Sequence, residues 1–150
     1  MSDFVDKMYQ LTTGMNNRLN WNDYFMSIAL LVSSRSPCDR LHVGSVFVND
    51  NRIICVGYNG FIENAPHNSI IRDNHEICTV HSEQNAVADA ASRGDSIKNA
   101  TVYITHYPCI NCCKILAASK INKIIYLKDY KNDPIVNKIL KDCKISITKL

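Results

Sequence analysis

Apolar positions along this 150-residue chain change their period several times, and each change marks an element. Over residues 22–35 they recur at helical spacing through Phe25, Ile28, Ala29, Leu31 and Val32, with Asn22 as a suitable N-cap. Residues 43–48 and 52–57 read as strands, and the polar turn at 49–51 makes them a hairpin. A polar, irregular stretch follows from 59 to 76; loops of that length carry function or disorder. A helix is predicted from His81 to about Arg93, with Gly94 as its stop. Then come a strand at 101–105, a helix at 109–119 with Pro108 at its opening, a strand at 123–127, a helix at 134–142 and a strand at 144–148. Strand–helix alternation in the second half requires right-handed crossovers and locally parallel strands. The expected fold class is α/β, a three-layer α/β/α sandwich around one mixed five-stranded sheet. Residues 1–19 receive no element and are read as an N-terminal extension to a single domain at 20–150.

Composition narrows the function classes. A hydrophobic share of 46% and a charged share of 21% are those of a globular domain with one core. No apolar run reaches the length of a membrane span, and the N-terminus lacks the basic-then-apolar layout of an export signal. The formal charge of +3 is mild, and the lysines between Lys114 and Lys149 are scattered as on a solvated face. Neither a membrane nor a nucleic acid is therefore expected as a partner. Cysteines number seven, an odd count, and include a C-x-x-C, which fits metal-bound thiolates in a reducing, cytoplasmic setting better than disulfides.

The chemistry concentrates in His81, Glu83, Cys109 and Cys112. One imidazole and two thiolates suit zinc, and three protein ligands leave a fourth position open for water, as catalytic zinc requires. His81 is placed in the first turn of one helix and both cysteines in the first turn of the next, where the helix dipole favours thiolates. The two cysteines stand three apart, on one helical face. Glu83 is two residues from His81, so it points elsewhere and can address the water instead of the metal. A lone C-x-x-C would equally serve half of a structural zinc site or a redox pair; joined to His81, Glu83 and Pro108 it favours catalysis. Cys55, Cys113 and Cys143 read as core residues.

Five motifs in order carry a resemblance: WNDYFM at 21–26, CDRLHVGSVFV at 38–48, GYNG at 57–60, TVHSEQNAV at 79–87 and THYPCINCCK at 105–114. The H-x-E…P-C-x-x-C arrangement is the signature of zinc nucleobase deaminases. Over residues 20–148 the chain resembles the deoxycytidylate (dCMP) deaminases, in particular the short bacterial and viral ones. The resemblance implies a cytidine-deaminase-like fold and the conversion of dCMP and water to dUMP and ammonia, supplying dUMP for thymidylate synthesis. It makes Glu83 the carrier of protons from the water to N3 of the base and then to the departing amine. By resemblance, Ser36, Arg40 and Tyr130 match phosphate-binding positions, and Asn59 matches the residue that bonds the sugar 3′-hydroxyl. Thr105 belongs to a segment that walls the base, where His106 reads equally as substrate-facing or structural.

The resemblance further implies a second, structural zinc on Cys38 and His75, with His67 and Cys78 as additional ligands. Glu76, Asn68 and Cys78 depart from the bacterial pattern for that site. Homo-oligomerisation is implied as well, a hexamer being favoured, together with regulation by dCTP and dTTP and Mg2+ accompanying the effector. The nearest rivals are other zinc deaminases, acting on tRNA adenosine, cytidine, dCTP or riboflavin precursors. A rival of another class is a zinc-stabilised nucleic-acid-binding module, which would have no use for Glu83.

Overall fold

The computed structural model describes residues 2–150. The chain opens with a helix in the segment left without an element, α1 (Asp3–Thr13), in which Phe4, Val5, Met8 and Leu11 recur at helical spacing. Ser2 caps it by accepting from the Val5 N–H, and Asp3 and Asp6 in its first turn suit the positive end of the helix dipole. None of its residues is buried within this chain, so its apolar side is left exposed. Helix α2 (Trp21–Ser33) starts earlier than the pattern indicates. Asn20, not Asn22, is its N-cap, with Oδ1 accepting from the Asp23 N–H at 2.9 Å. Asn22 lies inside the helix, where its Oδ1 accepts a hydrogen bond from the Tyr103 hydroxyl at 2.9 Å.

Strands β1 (Gly44–Asn49) and β2 (Arg52–Tyr58) form the expected hairpin, and the connecting Asp50 and Asn51 both have positive φ, as a tight two-residue turn requires. The polar stretch that follows is not without regular structure. It holds β3 (Gly60–Phe61), β4 (Ile71–Arg72) and β5 (His75–Glu76), and is followed by β6 (Thr79–Val80); β3 pairs with β6 and β4 with β5. Two-residue ladders are too short to leave a periodic signal.

Helix α3 (Ser82–Arg93) ends at Gly94, whose φ of 74° is the left-handed conformation that glycine adopts without a Cβ penalty. It is followed by β7 (Thr101–His106), α4 (Ile110–Ala118), β8 (Lys123–Lys128), α5 (Pro134–Asp142) and β9 (Ser146–Lys149). Two helix starts differ from expectation in a way that matters for the site. His81 and Cys109 are the N-caps of α3 and α4, with extended backbone, rather than residues of their first turns. Pro108 accordingly precedes the cap instead of occupying the first helical position.

The main sheet has the order β2-β1-β7-β8-β9, antiparallel across the first three strands and parallel across the last three. Helix α2 covers one face, where Phe25, Met26 and Ala29 meet Val46, Val48, Tyr103 and Ile125. Helices α3, α4 and α5 cover the other, where Ala86, Ala90, Leu116, Val136 and Leu140 enclose Phe47, Val102, Ile104 and Ile124. The expected three-layer sandwich with a mixed five-stranded sheet is therefore the fold. Its two clusters account for the alternation along β1, which is buried on both faces from Gly44 to Val48.

Candidate metal centre and substrate pocket

The carboxyl end of β7 turns through residues 107–109 into α4, and the start of α3 lies beside it. This is the crevice at strand ends where open α/β sheets place ligands. What brings α3 so close is Gly57 on β2: a Cβ there would stand 2.1 Å from the Ser82 carbonyl oxygen and 2.7 Å from the Ala86 nitrogen. The first turn of α3 thus rests directly on strand backbone.

The capping geometry assembles the three soft donors. Cys109 Sγ accepts from the Cys112 N–H at 3.5 Å, which folds both thiols to one side of the α4 start. His81, whose side chain makes no cap of its own, turns Nδ1 toward them, 3.5 Å from Cys109 Sγ and 3.4 Å from Cys112 Sγ. A tetrahedral zinc ion with bonds of about 2.3 Å to sulfur and about 2.05 Å to nitrogen would set that separation near ~3.6 Å. The donor types and their spacing fit zinc. Among the described residues these three form the only group of three or more His, Cys, Asp or Glu ligand atoms lying within 4.8 Å of one another.

Thiol acidities separate site cysteines from core ones. Cys109 is pushed down to about 4, first by the hydrogen bond from the Cys112 thiol, with His81 and the Cys112 N–H adding to it against burial. Cys112 is raised, by that same hydrogen bond and then by burial. His81 is raised first by its hydrogen bond to Cys109, with burial opposing. Cys55 and Cys113, by contrast, are pushed up to about 11 by burial and are neutral core thiols. Cys143 is exposed, contrary to its reading as a core residue.

Glu83 lies at the base of the pocket and is 3% exposed. Its carboxyl is raised, chiefly by burial, and accepts a hydrogen bond from the Ser82 hydroxyl at 3.0 Å. A carboxyl raised by burial is a stronger base than a solvated one, suited to taking a proton from water.

The same pocket is lined by Arg40, Asn59, His106, Tyr130 and Lys131, and by Cys38, His75 and Glu76 on its outer side. Arg40 Nη2 donates to the Tyr130 hydroxyl at 3.1 Å, and Nη1 donates to the Asn74 carbonyl, so two residues 90 positions apart meet at the mouth. His106 is held below its ordinary value by burial and then by Lys128, and meets Tyr130 edge to face. Other residues singled out from the sequence are committed to backbone. The Asn59 amide accepts from the Val43 N–H and donates to the Leu41 carbonyl, both at 2.7 Å. Ser36 Oγ donates to the Asn59 carbonyl at 2.7 Å, and Thr105 Oγ1 accepts from the Gly44 N–H at 3.1 Å. Neither Ser36 nor Thr105 lines the pocket.

Among the described residues, no three of Cys38, His67, His75 and Cys78 bring ligand atoms within 4.8 Å of one another. His67 stacks on Phe61 instead, and lines a neighbouring depression that also includes Cys38. Glu76 accepts from Ser69 Oγ, from the Ile70 N–H at 3.4 Å and from the Cys78 N–H at 2.7 Å, tying residues 69–78 together. Sequence reasoning passed over Lys131, although it directly follows Tyr130, because an isolated surface lysine carries no signal.

A family profile described as the cytidine and deoxycytidylate deaminase zinc-binding region matches residues 19–128. The chain is 36% identical over 137 residues to the ComE operon protein 2 of Bacillus subtilis, covering 89% of this chain and 72% of that protein. It is 35% identical over 128 residues to the deoxycytidylate deaminase of Mycobacterium phage D29, covering 75% of this chain and 98% of the phage protein. The crystal structure of the dCMP deaminase from cyanophage S-TIM5 in apo form superposes with a TM-score of 0.77 at 25% identity, over 89% of this chain and all of that one.

Proposed function

Because this chain belongs to the cytidine and deoxycytidylate deaminase family, we propose that its reaction is the hydrolytic deamination of dCMP to dUMP and ammonia. The observation that carries this reading is the pairing of a three-donor zinc site with a buried, non-ligating Glu83 at the same pocket base. His81, Cys109 and Cys112 would hold the zinc, which when bound would supply Lewis acidity that makes water a nucleophile near neutral pH. Glu83 would take one proton from the attacking water and pass it to N3 of the cytosine as C4 is attacked, then take the remaining proton of the new C4 hydroxyl and give it to the amine as the C4–N bond breaks and C4=O forms, releasing ammonia. Burial serves the uptake, because a raised carboxyl is a stronger base toward the water proton.

Arg40 and Tyr130 at the mouth support a 5′-monophosphate over a free nucleoside, a guanidinium being the suitable partner for a phosphate. Asn59 and Ser36 hold the floor of the sugar subsite through the backbone at 41–43, and Thr105 fixes the strand end that faces the base. Residues 20–150 form the deaminase domain and 1–19 its extension. Seven cysteines, none of them in a disulfide among the described residues and two of them placed to hold zinc, support a reducing compartment, hence the cytoplasm. No helix among the described residues is long and apolar enough to cross a membrane.

The reading extends to a second zinc, to assembly and to regulation. Cys38 and His75 on one rim of the pocket support a structural zinc, with His67 and Cys78 drawn in as further ligands. Exposed apolar residues on α1 and α2, Phe4, Tyr9, Leu11, Trp21 and Tyr24 among them, support self-association into a homohexamer. The phosphate-reading rim supports dCTP and dTTP as effectors, with Mg2+ accompanying them. The test of the substrate is a panel of dCMP, dCTP, deoxycytidine and CMP, with and without dCTP as effector, followed by loss of cytosine absorbance. The proposal requires dCMP to be turned over best, and preference for deoxycytidine would overturn it.

A further inference from the structure

Three lysines have a left-handed backbone. Lys120 and Lys144 each follow the last residues of a helix, where that conformation is an ordinary terminator. Lys131, with φ of 44°, follows no helix and closes no hairpin. It lies in the loop between β8 and α5, and an L-residue with a Cβ takes this conformation at a steric cost. The loop is fixed from both sides. The Tyr130 N–H donates to Asn132 Oδ1 at 2.9 Å, and the Asn132 amide donates to Asp129 Oδ1 at 2.8 Å. The effect of the bend is to send two consecutive side chains, Tyr130 and Lys131, into one pocket.

The two cations there flank a single phenol. Lys131 Nζ stands 5.7 Å from the Tyr130 ring centroid, while Arg40 Nη2 sits 3.1 Å from its hydroxyl. Among the described residues neither cation takes part in an ion pair. Nearby carboxylates are engaged elsewhere: Asp129 with Lys149, Asp133 as the cap of α5, and Glu76 with Ser69 and the loop amides. Two unneutralised cations and a hydroxyl at the mouth of a pocket suit a dianion.

We infer that Lys131 is a second 5′-phosphate contact, which with Arg40 and Tyr130 forms a clamp that selects nucleoside monophosphates over nucleosides. The inference rests on the dCMP reading above and adds a specificity-determining residue to it. The backbone conformation supplies a clean variant. Lys131→Gly keeps a φ that glycine adopts freely, so the fold is retained while the charge is lost. Lys120→Gly is the matched control at a left-handed lysine outside the pocket.

Initial rates on dCMP, with no nucleoside triphosphate present so that only the substrate phosphate is read, give KM and kcat separately. Calorimetry with dUMP gives binding without chemistry. For Lys131→Gly, KM for dCMP and Kd for dUMP should both rise about tenfold, the loss falling on KM more than on kcat. Lys131→Arg should restore both to within about threefold, since it keeps the charge and the donors, and Lys120→Gly should behave as wild type. A Lys131→Gly protein whose KM and Kd stay within about twofold of wild type, or a Lys131→Arg protein as impaired as Lys131→Gly, overturns the clamp while leaving dCMP as the substrate. A wild-type protein that ignores dCMP and turns over deoxycytidine overturns both.

Discussion

Gly57→Ala adds one methyl group on β2 and reaches the chemistry through backbone alone. The new Cβ would lie 2.1 Å from the Ser82 carbonyl oxygen, 2.7 Å from the Ala86 nitrogen and 2.9 Å from the Ala86 Cβ, where ordinary contact begins near 3.4 Å. No rotamer change relieves a clash with backbone, so α3 must retreat from the strand by about 1 Å or more. That helix begins between His81 and Glu83, whereas Cys109 and Cys112 belong to α4 and stay behind. Zinc tolerates bond-length errors of only about 0.2 Å, so the donor set opens as α3 moves. Overpacking of this kind costs typically about 1–3 kcal/mol, which for a domain of this size lowers the thermal midpoint by roughly 2–12 °C. A displacement of about 1 Å at reacting groups costs on the order of a hundredfold in rate. The assay combines a thermal melt, zinc per chain by metal analysis and initial rates on dCMP. Wild-type melting, full zinc and wild-type turnover in Gly57→Ala would refute the claim that this strand–helix contact positions His81 and Glu83.

Two further outcomes follow from the ligands. In metal-free protein at about pH 6.5, iodoacetamide should label Cys109 ahead of Cys55 and Cys113, because the first thiol is pushed down to about 4 and the other two up to about 11. Zinc should then protect Cys109, and equal labelling with and without zinc would remove it from the site. Cys38→Ser should lower the thermal midpoint and reduce bound zinc from two equivalents toward one, as loss of a structural site does. A single equivalent in fully active wild-type protein would rule out the second ion.

Much of the scaffold was legible because single-face burial imprints a period. The β1–β2 hairpin, the helix stop at Gly94 and the span of α5 from Pro134 follow from two apolar runs around a polar turn, a left-handed glycine and a proline at a helix start. Helix α1 was legible in Phe4, Val5, Met8 and Leu11 at helical spacing, whereas the ladders between 60 and 80 are too short for any period. Caps at Asn20, His81 and Cys109 depend on competing local hydrogen bonds. Asn20 and Asn22 are chemically alike, and only the folded chain shows Asn22 engaged by Tyr103. Residue types also announced the donor set at the site, but the meeting of His81 with two cysteines 28 and 31 residues away depends on how α3 and α4 pack. Lys131 was invisible for a sharper reason. The role inferred for it rests on a backbone angle, and no side-chain pattern encodes that angle.

The most direct measurement compares zinc-loaded wild-type protein with zinc-loaded Glu83→Gln on dCMP, following the loss of cytosine absorbance. Gln preserves the shape of the side chain and cannot carry a proton, and among the described residues Glu83 is the one buried carboxyl lining the pocket. Loss of a positioned acid–base group costs about a hundredfold to ten-thousandfold, and more where several transfers share it. Full zinc content with turnover reduced by at least that factor is the predicted result. Wild-type-like deamination of dCMP by zinc-loaded Glu83→Gln would contradict it.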